Sequence, residues 1–402
     1  MKYYESRIRT VLNVLKDACR TEYLEAEQIR YRSCGYEMDS VMKEEISGWK
    51  IFEKGDTWGS EDGHACFALS FQIPPIYRDR PVWMEVLTNL DNYWDTDNPQ
   101  FLVNIDGRNR CGLDVNHRTC RISPRAEAGQ RYDVRLYAYQ NHAHSDVSLK
   151  VTFYVLREDV QKLFYDLLVP FEAAVLLPED GYERQHMLML LNETLNCLDL
   201  RRVGSEQFYS SVKEAEAYLQ ARYDKLCCPQ PAVTEYCIGH THIDVAWKWP
   251  LRQTVEKAVR SFYTVLELMD QYSEYRFMSS QPQLYEFVKE EDPDLYAQIK
   301  AAVKAGRWEP EGGMWLEPDC NLINGESMVR QLLYGRSFFW REFGVRCEIL
   351  WLPDVFGYSA SMPQILKKSG IRYFMTTKIS WNEVNRIPND TMVWRGIDGT
   401  GI

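Results

Sequence analysis

The chain has 402 residues, 45% of them hydrophobic, and a formal net charge of −11. That length predicts two or three domains with substantial cores, and the acidic balance argues against a nucleic-acid partner bound through a basic surface. The N-terminus Met1-Lys2-Tyr3-Tyr4-Glu5-Ser6-Arg7 lacks the apolar run of a secretory leader, and no stretch approaches the ~20 apolar residues that span a bilayer. No membrane partner is therefore expected. The eleven cysteines are scattered and form no Cys-x-x-Cys pair, which suits reduced thiols in the cytoplasm. The 12 Trp, 25 Tyr and 16 Phe fit either large cores or stacking on sugar rings.

Residues 1–48 are expected to form a helical segment, with Ile8, Leu12, Leu15, Leu24 and Ile29 at roughly helical spacing. Residues 49–156 have a different texture: short runs rich in Val, Phe, Tyr and Trp, broken by Gly, Pro, Asn and Asp. Asp106-Gly107 follows one such run and marks a hairpin turn. This stretch predicts a β-sandwich domain. Residues 157–231 return to helix, with Leu163, Leu167, Leu190, Leu191 and Leu198 as apolar stripes, and are expected to act as a helical linker. Cys227-Cys228-Pro229-Gln230-Pro231 is a stiff breaker and marks a boundary.

From residue 232 onward strands and helices alternate. Thr234–Ile238, Tyr275–Ser279, Cys347–Trp351 and Tyr373–Thr377 read as strands, and Trp308–Met314 as an extended stretch. Thr254–Tyr272, Tyr285–Lys304, Ser327–Phe343 and Met362–Ser369 read as the helices between them. That order predicts a parallel β/α architecture over 232–402.

The most informative run is Gly239-His240-Thr241-His242-Ile243-Asp244-Val245-Ala246-Trp247, placed directly after a strand. Side chains at i and i+2 of extended backbone share a face, so His240, His242 and Asp244 can converge on one point. Imidazole nitrogen with carboxylate oxygen is a donor set for Zn²⁺; a structural hydrogen-bonded pair is the alternative. Trp351-Leu352-Pro353-Asp354-Val355-Phe356-Gly357 follows another strand, so Asp354 also sits at a strand's C-terminal end, where a β/α barrel places its active site. Taken alone, Asp354 also suits a helix N-cap. Ser280-Gln281-Pro282-Gln283 and Gly312-Gly313-Met314-Trp315-Leu316-Glu317-Pro318-Asp319 occupy two further strand ends.

These segments, with GESMVRQLLYG and WRGIDG, resemble glycoside hydrolase family 38, the zinc-dependent retaining α-mannosidases, over about residues 233–402. The earlier residues resemble, less specifically, the sandwich that precedes the catalytic domain in the cytosolic and bacterial branch. The resemblance implies a (β/α)7-type barrel, truncated here at its C-terminal side. It implies zinc, with Co²⁺ as a substitute, held by His242, Asp244 and Asp354. It also implies that Asp354 is the catalytic nucleophile that forms a mannosyl-enzyme. Trp247 would stack on the sugar, Phe356 would line its site, and Lys378 and Asp319 would contact substrate. Mannose-containing oligosaccharides are the implied partners, with homo-oligomers a feature of that branch. His240 is then expected to support the site rather than ligate.

No histidine follows His242, whereas the resemblance implies a fourth ligand and an acid/base carboxylate further along. The chain is accordingly expected to be the N-terminal part of a longer mannosidase, with little activity alone. An amidohydrolase-like metal enzyme also opens on His-x-His but needs later histidines. A non-catalytic carbohydrate-binding protein is the other alternative. His64, His117, His142 and His144 are assigned no functional role.

Overall fold

The computed structural model describes residues 2–91, 98–141, 146–226 and 234–402. The boundary expected at residues 227–231, and the histidines at 142 and 144, lie outside the described residues. No helix among the described residues is long and apolar enough to cross a membrane.

The first helix, α1 (Lys2–Ala18), is followed by β1 (Arg20–Glu25), β2 (Ile29–Cys34), the short α2 (Met38–Val41), β3 (Lys50–Phe52), β4 (Gly63–Gln72) and β5 (Val82–Leu87). Then come β6 (Gln100–Ile105), β7 (Arg108–Leu113), β8 (Thr119–Ser123), β9 (Arg131–Gln140) and β10 (Lys150–Leu156). Two sheets result, one ordered β1-β10-β5-β8 and the other β3-β2-β4-β9-β6-β7. The helical segment expected over residues 1–48 therefore ends at Ala18. Leu24 and Ile29 fit a helical period, but their strands pair with β10 and β4, and cross-strand pairing overrides so weak a local pattern.

Strand alternation divides the six-stranded sheet between two cores. Ala65, Phe67, Leu69 and Phe71 of β4, Phe101, Val103 and Ile105 of β6, and Val134, Leu136 and Ala138 of β9 face the other sheet. The intervening Cys66, Ala68, Leu102 and Tyr137 point the opposite way, into a second core. Burial on both faces explains why β4 and the second half of β9 read as nearly continuous apolar runs, whereas Arg131, Asp133 and Arg135 keep alternation in the first half of β9. The four-stranded sheet is covered likewise. Tyr154 and Leu156 of β10 pack under α1 and three further helices, α3 (Glu158–Leu176), α4 (Tyr182–Leu195) and α5 (Glu206–Leu226).

The second core belongs equally to the C-terminal segment. There β11 (Gly239–His240) leads to α6 (Leu251–Gln271), then β12 (Phe277–Ser279), α7 (Pro282–Glu291), α8 (Pro293–Lys304) and β13 (Trp308–Pro310). After these come α9 (Gly325–Phe343), β14 (Ile349–Trp351), α10 (Met362–Lys368) and β15 (Tyr373–Met375). Strands β11, β12 and β13 are parallel neighbours, as are β14 and β15, and a parallel bridge from Gly312 to Leu350 joins the two groups. The order follows the sequence, as helical crossovers between parallel strands dictate. The strand expected at Thr234–Ile238 is shorter and later: only Gly239–His240 pairs, on one side, with β12. The preceding Tyr236 is 83% exposed.

Helix α6 lies on the six-stranded sheet, with Ala258, Val259 and Phe262 against Cys66, Ala68 and Leu102. Helix α9 crosses the loop after β13 so closely that a Cβ at Gly335 would lie 2.4 Å from the Gly313 carbonyl oxygen. Both partners there are backbone and have no rotamer to change. Gly335→Ala is expected to lower stability by about 1–3 kcal/mol through overpacking. Urea unfolding would show this as a lower midpoint at unchanged slope.

Candidate active site

Each polar cluster of the C-terminal segment sits just past the carboxyl end of a parallel strand, where side chains of successive loops face one another. After β11 the chain turns through residues 241–250. His242 and Asp244 meet across this turn, with Nε2 3.2 Å from Asp244 Oδ1. Asp354, past β14, brings Oδ2 to 3.6 Å from the same nitrogen. One donor atom from each of the three lies within 4.8 Å of the others. Two ligands each about 2.1 Å from a tetrahedral zinc would stand about 3.4 Å apart, so the spacing around Nε2 fits a shared ion.

The remaining ring nitrogen supports the same reading. His242 Nδ1 is 3.0 Å from Glu317 Oε1, and Glu317 is nearly buried, with its side chain 6% exposed. A carboxylate on Nδ1 fixes the tautomer that leaves Nε2 available to a metal. Glu317 Oε2 is buried without a hydrogen-bond partner. Burial pushes the His242 pKa down, but hydrogen bonds to the Asp244 and Glu317 carboxylates outweigh it and raise the value to about 10. Without a divalent cation the raised value favours the protonated ring.

Asp354 has a second partner. Lys378, past β15, places Nζ 2.6 Å from Oδ1. The same ammonium lies 3.7 Å from the Trp381 ring centre and 5.6 Å from that of Phe356. Lys378 thus touches the carboxylate expected to react. Thr377 donates to the Pro353 carbonyl at 2.7 Å, and the Tyr358 hydroxyl reaches the Val355 carbonyl at 2.7 Å. The first ties the Asp354 loop to the end of β15, and the second braces the loop internally.

His240 makes no contact with the trio. Its Nε2 accepts from Trp351 Nε1 at 3.1 Å, and Nδ1 donates to the Met278 carbonyl at 3.0 Å. With both nitrogens engaged it cross-links β11, β12 and β14. Trp247 ends the turn that carries Asp244, 60% exposed and edge-on to Trp249. Phe356 is 79% exposed. Asp319 accepts the backbone N–H groups of Asn321 and Leu322 at 2.8 and 3.0 Å, so its Oδ1 closes a turn. His64 and His117 have structural partners, Glu256 and the Gly112 carbonyl.

Two residues of the site escaped selection from sequence, Glu317 and Gln281. Buried Gln281 donates from Nε2 to the Ile243 carbonyl at 3.0 Å and accepts the Glu317 N–H at 3.3 Å. It therefore clamps the loop of His242 to the loop of Glu317. The available signal was position alone, since both lie in strand-end segments. Helix α9 completes the support, with Gln331 accepting the Trp315 and Leu316 N–H groups through its carbonyl and side-chain oxygens.

Glu317→Gln keeps the shape of the side chain but removes the charge that favours the Nδ1–H tautomer. It is expected to weaken zinc binding by about tenfold to a hundredfold, measured by competition with a chromogenic chelator. Zinc binding must also displace the His242 proton below about pH 10. Calorimetry at pH 7 in buffers of different ionisation enthalpy should therefore report proton release. His242→Ala should abolish that release together with the binding.

Residues 232–402 match the N-terminal domain of the glycosyl hydrolases family 38. Human alpha-mannosidase 2C1 is 41% identical over 248 residues, which cover 62% of this chain and 23% of that protein. Alpha-mannosidase G of Dictyostelium discoideum is 35% identical over 253 residues, 63% of this chain and 23% of that protein. A crystal structure of an alpha-mannosidase from Enterococcus faecalis V583 aligns at 24% identity over 41% of this chain and 19% of that one, with a TM-score of 0.37. The chain thus spans about a quarter of the length of these curated relatives. Over residues 232–402 the chain is therefore similar to the N-terminal domain of glycosyl hydrolase family 38.

Proposed function

We propose that this chain contributes the metal-binding and nucleophilic part of an α-mannosidase site, acting on terminal α-mannosides of mannose-containing oligosaccharides. The observation that carries the reading is the convergence of His242, Asp244 and Asp354, with Lys378 on the far oxygen of Asp354. The names of the relatives support the substrate class, and the successive parallel strands are consistent with part of a (β/α)7-type barrel. The N, O, O donor set suits Zn²⁺, with Co²⁺ as an alternative. Bound there, the ion would supply Lewis-acid stabilisation and orientation of sugar hydroxyls.

The protein's own residues divide the remaining tasks. Asp354 attacks the anomeric carbon as an ionised carboxylate and forms a glycosyl ester as the bond to the leaving oxygen breaks, the pattern of retaining glycosidases. Lys378 neutralises the neighbouring oxygen and orients that carboxylate. Trp247 offers an exposed ring for stacking on the apolar face of a pyranose, and Phe356 borders the same opening. Glu317 and Gln281 hold the His242 loop in place. The nine free cysteines among the described residues favour a cytoplasmic setting.

The test combines metal content with chemistry. The purified chain should bind about one equivalent of zinc, and His242→Ala should bind none. In the protein that carries these residues, Asp354→Asn should lower turnover of an aryl α-mannoside by at least about 10³-fold, the range expected when a nucleophile is lost. A zinc-free chain, or an Asp354→Asn variant of undiminished activity, would refute the proposal.

A further inference from the structure

The turn that carries Asp244 and Trp247 is held from two sides. From its own unit, buried Thr254 accepts the Ala246 N–H and the Trp249 indole N–H, each at 3.1 Å, and its hydroxyl faces the Asp244 carbonyl at 3.4 Å. The other grip comes from the sandwich, more than a hundred residues earlier in the chain. Asn141, just past β9, donates from Nδ2 to the Lys248 carbonyl at 2.5 Å, and the Tyr139 hydroxyl holds its side-chain oxygen at 3.1 Å. Asp62, just before β4, pairs with Arg252 in the first turn of α6. Hydroxyls of Tyr36 and Tyr139 fix the same carboxylate at 2.6 and 3.1 Å. The Arg252 guanidinium also lies 4.1 Å from the Tyr36 ring centre.

These contacts begin a row along α6 at four-residue spacing, the period that keeps side chains on one helix face. Glu256 accepts from the Tyr137 hydroxyl at 2.8 Å and meets His64 at 3.0 Å. Arg260 donates to Gln100 at 2.5 Å, and Thr264 accepts the Gly112 N–H at 2.9 Å. Every member of the row has a polar partner in the sandwich. The start of α6, and with it the 244–250 turn, is thereby fixed relative to the six-stranded sheet and not only to its own strands.

We infer that Asp62 and Asn141 of the sandwich are positioning residues for the metal- and sugar-binding turn, so that the sandwich is a working part of the site. The inference rests on the metal reading above. A merely structural role for these residues would alter stability without altering metal affinity. Zinc affinity is therefore measured by chelator competition for the parent chain, Asp62→Ala, Asn141→Ala and the double variant. Arg125→Ala serves as a control that breaks only an exposed pair with Asp79. The double variant is expected to bind zinc about tenfold or more weakly while urea midpoints stay close to the parent's, and each single variant to fall between. Asp62→Asn, which keeps an acceptor oxygen, should recover part of the loss, and Arg125→Ala should match the parent. Unchanged zinc affinity in the double variant overturns the inference. A parent chain that binds no zinc overturns the metal reading instead.

Discussion

The structure depends on how α6 lies across the six-stranded sheet. One strip of the helix is apolar: Ala258, Val259 and Phe262 fill the core beneath the sheet, and their burial provides most of the attraction. A parallel strip carries Glu256 and Arg260, each only 5% exposed. Charges at that depth are costly unless paired and hydrogen-bonded. Glu256 meets Tyr137, His64 and, at 3.6 Å, Arg260. Such a network adds little net stability over a well-packed apolar one. It does add direction, because a sliding or rotated helix would strand a buried carboxylate, whereas an apolar interface tolerates small displacements. Gly112 sharpens the fit: a Cβ there would stand 3.0 Å from Arg260 Cβ, so the hairpin backbone seats directly against the helix.

That fixed helix delivers the turn before it to a crowded electrostatic site. Asp244, Glu317 and Asp354 surround one imidazole, with Lys378 on the outer side of Asp354. Three carboxylates so close repel one another, and a cation at their centre offsets that repulsion. The raised His242 pKa expresses that demand in its simplest form, since a proton is the smallest cation available. A divalent ion answers the same demand with twice the charge, and the ligand atoms already face inward. Arranging the groups before the ligand arrives reduces the reorganisation needed on binding.

Much of this was legible in the sequence, and what was not has identifiable causes. His242, Asp244 and Asp354 could be selected because strand-end position and residue type both pointed to them. Alternating strand and helix after residue 232 was equally clear. Glu317 and Asp319 lie two residues apart in one segment, and nothing in residue type says which carboxylate turns inward. The answer comes from Gln331 and Gln281, which hold the loop backbone. The strands at 20–34 carry a helix-like apolar spacing, and the partners that make them strands, β10 and β4, lie far along the chain. The mutual burial of sandwich and α6 was invisible for a related reason. Cys66, Ala68 and Leu102 look like ordinary members of apolar runs until the alternation of their strands assigns them to a second core.

Backbone conformation shows how strongly long-range contacts govern the site. Ala246 and Gln281 adopt φ values of +76° and +62°, a region that non-glycine residues enter at a cost of about 1–2 kcal/mol. Neither has a local reason to do so, and Gln281 precedes a proline, which favours extended backbone. Each is held by contacts distant in sequence or in the next element: Ala246 by Thr254, Gln281 by Ile243 and Glu317. Ala246 belongs to the loop that presents His242 and Asp244, and Gln281 to the neighbouring loop that ties it to the loop of Glu317. Local preference would open both loops, so the arrangement of ligands exists only while α6 and the surrounding loops are docked. Loosening of that docking should therefore disturb the metal-binding geometry before it unravels the strands beneath.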